Sequence, residues 1–200
     1  MDDIIIFSTS WEMHLGHFAV VFERIAHAHL TLNLRKFVFA NAELDFGGHH
    51  IMLTAIQPLV QKVEAVLKFP RPRNRKQVQS LLGIAGYYCE YLPHYSELTL
   101  PFTDLLKKNK HFVFSDVCER AFLDLKSRLA SQLILRSPDY SKQFCLAVDA
   151  SQGAVGGCFF QTSNGAEHPV CYLSRKLNKH KIHYSTIEKK ALALVSAVRA

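Results

Sequence analysis

The chain has 200 residues, 48% of them hydrophobic and 20% charged, with a formal net charge of +7. This composition fits one or two globular domains and excludes a disordered or low-complexity chain, and no run of about 18 apolar residues marks a membrane span. The acidic first residues are unlike a secretory signal.

The basic balance points to a polyanionic partner, most often nucleic acid. Basic residues cluster at Arg71, Arg73, Arg75 and Lys76, at Lys107, Lys108 and Lys110, and at Arg175, Lys176, Lys179 and Lys181. The five cysteines are odd in number and form no C-x-x-C pair, which argues against a disulfide framework or a structural zinc site and for an intracellular, reducing compartment. Histidine pairs such as His14 with His17 lack acids or cysteines at ligand spacing.

In chain order, Asp2 and Asp3 precede Ile4–Phe7, which reads as a short buried strand. A turn at 8–10 caps a helix carrying Trp11, Leu15, Phe18, Phe22 and Ile25 on one face. Residues 31–39 read as β-rich. Leu44, Phe46, Gly47-Gly48, Ile51 and Leu53 predict a hairpin with a close backbone approach at the glycines. Val60, Val63 and Leu67 mark a helix that stops at Pro70 and Pro72, and 73–90 reads as another, with Val78, Leu81, Leu82 and Ala85 on one side. Further helical pieces end at Leu105-Leu106, and 118–133 is amphipathic.

A boundary is expected near Ser137-Pro138. Beyond it, Phe144, Leu146 and Val148 alternate with Cys145, Ala147 and Asp149, the period of a strand. Strands at 154–161 and 170–173 follow, with a hairpin turn at Ser163-Asn164-Gly165. Ser185-Thr186 then caps a helix whose apolar face is read as Ile187, Ala191, Leu194 and Val198.

Two residues types invite chemistry. Paired carboxylates such as Asp2-Asp3 suit two-metal phosphodiester chemistry when a tight hairpin brings both to one ion cluster. Asp149 ends a strand on its small-residue face, and a carboxylate beside a sheet needs a partner. A metal ion is one answer, and a turn or N-cap role at Asp149-Ala150-Ser151 is the other.

The segments together resemble the reverse transcriptase–RNase H region of a gypsy-type LTR-retrotransposon Pol polyprotein. MDDIIIFS is similar to the polymerase Asp-Asp motif, WEMHLGHFAVVFERIAHAHLTLNLRKFVF to the helix and strand after it, and FGGHHI to a primer-gripping turn. VEAVLKFPRPRNRKQVQSLLGIAGYYCEYLPHYSELTLPFTDLL resembles the thumb and connection, and HFVFSDVCERAFLDLKSRL the linker helix. FCLAVDASQGAVGGCFFQ, HPVCYLSRKLN and HYSTIEKKALALV resemble the start of RNase H.

The resemblance implies an α+β chain: the end of a polymerase palm at 1–57, a helical thumb and connection at 58–136, and the first part of an RNase H-like α/β domain, a three-strand meander plus helix, at 137–200. It implies truncation at both ends, with Met1 at an internal position of the polymerase motif. Asp2 and Asp3 become the second and third polymerase acids, the first lying upstream. Lys36 matches a basic position behind the palm, Gly48 the primer-gripping turn, and Arg71, Arg73, Arg75 and Lys76 a stripe that tracks a nucleic-acid backbone. Asp149 matches the first RNase H acid. The second is expected just before the ALALV segment, where position 190 holds Lys190; Glu188 is the nearby alternative, on the opposite flank of the helix. The remaining two lie beyond Ala200. Gly47, Phe37, Phe114 and Cys89-Glu90 also depart from the family pattern.

The parent enzyme uses Mg2+ or Mn2+ to extend a primer on RNA and to cleave RNA in RNA–DNA hybrids. The expectation for this chain is a fragment that does neither alone; the alternative is a non-catalytic module that binds an RNA–DNA hybrid or primer–template. The oligomeric state stays open.

Overall fold

The computed structural model describes residues 4–108, 111–131 and 133–199. Helix α1 (Trp11–His27) starts at the Ser10 N-cap, whose hydroxyl accepts the Met13 N–H. Two strand expectations fail beside it. Residues 4–7 form no strand, and Phe7 is 84% exposed. A strand needs a neighbour for its backbone N–H and C=O groups, and none of the described strands lies alongside. Residues 31–39 contain a single 3₁₀ turn at Leu34–Lys36. Here aromatic packing outweighs strand propensity: Phe37 lies 6.2 Å and Phe39 5.1 Å from the ring of Phe18 on α1.

Strands β1 (Leu44–Phe46) and β2 (His49–Ile51) form the expected hairpin. Gly47 and Gly48 take φ of 55° and 80°, the two left-handed residues that a tight hairpin requires. Strand β3 (Ala55–Pro58) continues the antiparallel sheet, and β4 (Leu135–Arg136) returns after the helices to close the order β1-β2-β3-β4.

Between β3 and β4 lie α2 (Val60–Leu67), α3 (Arg75–Gly86), α4 (Tyr95–Leu98), α5 (Leu100–Leu105) and α6 (Asp116–Ala130). Val78, Leu81 and Ala85 of α3 meet Phe122, Leu125 and Leu129 of α6 in the main core, together with Val66, Phe102 and Leu135. This is the apolar periodicity of the sequence turned inward.

Strands β5 (Cys145–Ala150), β6 (Ala154–Ser163) and β7 (Ala166–Lys176) form an antiparallel meander, and α7 (Thr186–Val198) covers one face. The buried side of α7 is not the predicted one. Ala193 and Ala197 face the sheet, while Ile187 and Val198 are 82% and 71% exposed. Small side chains let α7 settle on Val155 and Leu177, which the larger Ile187–Val198 stripe does not.

The meander docks on the helices. Tyr172 of β7 packs against the main core, and the Ser96 N–H donates to Ser174 Oγ at 2.8 Å. Lys176 Nζ donates to Thr103 Oγ1 and reaches Asp104 Oδ1 at 3.3 Å. A Cβ on Gly153 would stand 2.8 Å from Leu100 Cδ1, so that turn packs closely on the end of the Leu100 side chain.

Candidate functional site

The basic segment before α3 divides in two. Pro72 is fully buried and anchors the chain, and the Asn74 side chain caps α3 by accepting the Gln77 N–H at 2.9 Å. Arg71 is committed within the molecule: its Nε donates to Glu119 at 2.6 Å, and its guanidinium lies 5.1 Å from the Phe114 ring centre. Arg73 and Lys76 are exposed, and Arg75 is half-buried. Lys76 begins a stripe along α3 that continues through Ser80, Gly83 and Tyr87, all exposed. Among the described residues, no atom outside the adjoining helix backbone lies within 4 Å of where a Gly83 Cβ would be. Sequence reasoning followed the buried face of α3 and missed this stripe; its signal was the small residues opposite Val78, Leu81 and Ala85.

The stripe ends against the Gly47-Gly48 turn. The Tyr87 hydroxyl donates to the Gly47 carbonyl, and the Tyr88 hydroxyl to the Gly48 carbonyl at 3.1 Å. Thus the structure ties Gly48 to the C-terminal end of α3, with Lys76 in the first turn at the opposite end of the same helix. Lys36 sits exposed on the 34–36 turn.

Asp149 is exposed near the end of β5, and its Oδ1 accepts the Ala150 N–H at 2.8 Å. It pairs across the ladder with Gly156, which pairs with Ser174, so these three share a sheet face. That face looks toward α4; His94, Glu97, Ser151 and Asp149 line a hollow of about 10 Å³ there. The flanking Val148 and Ala150 pack instead with the cluster that includes Ala193 of α7. Asp149 and α7 therefore lie on opposite faces.

Glu188 is occupied otherwise. Its Oε2 accepts the Ser185 N–H at 2.7 Å and the Ser185 hydroxyl at 2.8 Å, while Ser185 Oγ accepts the Glu188 N–H at 3.3 Å. This reciprocal cap holds the carboxyl below its usual pKa. Lys190 is exposed and lies about 160° around the helix from Glu188. Asp2 and Asp3 lie outside the described residues. Among the described residues no group of three His, Cys, Asp or Glu side chains is placed to hold a metal ion. The donor set around Asp149 thus does not fit the divalent pair of the parent chemistry.

Known proteins resemble the chain in sequence and in fold. The model of the RNase H-like domain found in reverse transcriptase matches residues 114–200. A retrovirus-related Pol polyprotein from transposon 297 of Drosophila melanogaster is 40% identical over all of this chain. The chain is homologous to retrotransposon Pol polyproteins. The fission yeast Schizosaccharomyces pombe supplies a further relative, the transposon Tf2-3 polyprotein, 33% identical over the whole chain. The chain spans 18% and 15% of the length of these two relatives. Drosophila relatives such as 297 agree with a gypsy-type element.

Two foamy viral protease–reverse transcriptase structures share the fold at a TM-score of 0.76. One is in complex with double-stranded DNA, is 19% identical, and aligns over 96% of this chain and 34% of its own. The other is in complex with an RNA/DNA hybrid, is 20% identical, and aligns over 96% and 26%. The mixed helix-and-sheet architecture therefore resembles that of reverse transcriptase–RNase H structures, with an RNase H-like unit at the C-terminal side.

Proposed function

We propose that this chain binds an RNA–DNA hybrid or primer–template duplex along α3 and does not cleave it. In this reading, 1–57 descend from the palm, 58–136 from the thumb and connection, and 137–200 from RNase H. The observation that carries it is the exposed run Lys76, Ser80, Gly83 and Tyr87, ending at the Gly48 turn. A helix rises 1.5 Å per residue, so α3 spans about 18 Å, roughly five base pairs at 3.4 Å. Cations at one end suit phosphates, and the bare Gly83 surface admits a sugar or groove edge close to the backbone. The foamy viral neighbours, in complex with double-stranded DNA and with an RNA/DNA hybrid, support nucleic-acid binding in general.

The non-catalytic half of the proposal rests on α7. Lys190 presents a cation where the parent pattern wants a carboxylate, Glu188 is spent on the helix cap, and Asp149 faces away from both. Asp2 and Asp3 remain polymerase metal ligands by descent, and Mg2+ or Mn2+ belongs to the parent enzyme.

The test titrates the purified 200-residue chain into a hybrid labelled on its RNA strand, with magnesium present. The reading expects a saturable complex containing intact RNA. Absence of binding, or steady RNA hydrolysis, overturns it.

A further inference from the structure

The glycine turn is held by more than its own ladder. Gly48 O accepts from the Leu59 N–H at 3.1 Å as well as from the Tyr88 hydroxyl at 3.1 Å, and Gly47 O accepts from the Tyr87 hydroxyl. Tyr88 is only 2% exposed, so its hydroxyl depends on that carbonyl for satisfaction. A Cβ on Gly48 would lie 3.2 Å from Tyr87 Cε1.

The next residue, His49, stacks on both neighbouring tyrosines. Its ring centre lies 5.3 Å from Tyr87 at 22° and 5.7 Å from Tyr91 at 18°, with Tyr88 edge-on at 5.7 Å. His49 Nδ1 and the Tyr91 hydroxyl share a hydrogen bond of 2.8 Å. Thus three tyrosines at the end of α3 and the following turn grip three consecutive hairpin residues.

From this geometry we propose that Tyr87 and Tyr88 are positioning residues: they fix the Gly47-Gly48 turn to α3, so that turn and stripe meet a duplex as one preset surface. The proposal rests on the binding reading above and adds its mechanism. A turn tied only by its hairpin would lose freedom on each binding event, and prior fixation removes that cost. Both tyrosines act through the turn rather than through contact with a phosphate.

The experiment uses the full chain with tyrosine replaced by phenylalanine, which keeps the rings and removes the hydroxyls. In the free protein, Tyr87→Phe and Tyr88→Phe together are expected to shift the Gly47 and Gly48 carbonyl ¹³C resonances and to speed hydrogen exchange in 44–51. With a hybrid, they are expected to weaken binding by about tenfold, as two hydrogen bonds of ordinary worth allow. Slope against salt and stoichiometry should stay unchanged. Weakened hybrid binding with the Gly47 and Gly48 carbonyl shifts unchanged would make a tyrosine hydroxyl a direct duplex contact and overturn positioning. Unchanged carbonyl shifts and exchange would overturn the clamp itself. Failure of the wild-type chain to bind any hybrid strikes the binding reading alone, since the shift and exchange measurements need no ligand.

Discussion

The Glu188 carboxylate accepts both the N–H and the hydroxyl of Ser185, which closes the first turn of α7. Replacing Ser185 by Ala removes the cap and is expected to cost about 1 kcal/mol of stability in denaturant melts. Glu188→Gln should act in the same direction with a pH signature. Because the folded pKa is depressed, the stabilisation is present above the unfolded value of 4.5 and is lost as pH falls through the folded pKa. Wild type and Glu188→Gln should therefore converge in acid. Convergence near neutrality instead would contradict the cap.

Restoring a carboxylate by Lys190→Glu should not create an RNase. Asp149 would still face α4 while position 190 stands on α7, across the sheet. Calorimetry should detect no magnesium binding by this variant, and a labelled hybrid should stay intact. Magnesium-dependent cleavage by Lys190→Glu would show that the two positions do converge.

His49 and His50 are adjacent yet titrate in opposite directions. Burial lowers the His49 pKa, so its contribution is present above the unfolded value of 6.5 and is lost as pH falls through the folded pKa. Hydrogen bonding to Asp45 at 2.7 Å, aided by Glu43, raises that of His50, whose contribution is present below 6.5 and is lost as pH rises through the folded pKa. Melting temperatures across pH should show the gap between wild type and His49→Gln closing on the acid side. The gap to His50→Gln should close on the alkaline side. Gaps that close on the same side would refute the assignment.

Two glycines should respond oppositely to alanine. At Gly153 the new Cβ meets Leu100 Cδ1 at 2.8 Å, and the free end of that side chain must turn aside, which is expected to cost up to about 1 kcal/mol. Gly83 lies in α3 with open space before it, so Gly83→Ala should stabilise the fold by up to about 1 kcal/mol. It should nonetheless weaken duplex binding, because the methyl group stands on the stripe. Thermal melts and a binding titration on the same two proteins separate these effects.

The sequence showed most of what depends on local pattern. The Gly47-Gly48 hairpin, the caps at Ser10 and Ser185, the buried face of α3 and the meander all follow from turn chemistry and periodicity. Where partners outside the local pattern decide, reading failed. Ile4–Phe7 has strand composition and no described strand beside it. Phe37 and Phe39 chose the α1 aromatics. On α7, close packing by Ala193 and Ala197 displaced the more hydrophobic stripe. At the candidate site, the motif located Arg71, but only the structure shows it paired with Glu119. The tyrosine grip on the turn joins residues 40 apart in sequence, beyond any local signal.

The most direct measurement is hybrid affinity against salt, from about 50 to about 200 mM, for wild type and Lys76→Ala. The account predicts a linear fall of log affinity with log salt, and a slope smaller by about one for Lys76→Ala. Salt-independent binding, or a Lys76→Ala slope equal to that of wild type, would contradict binding along α3.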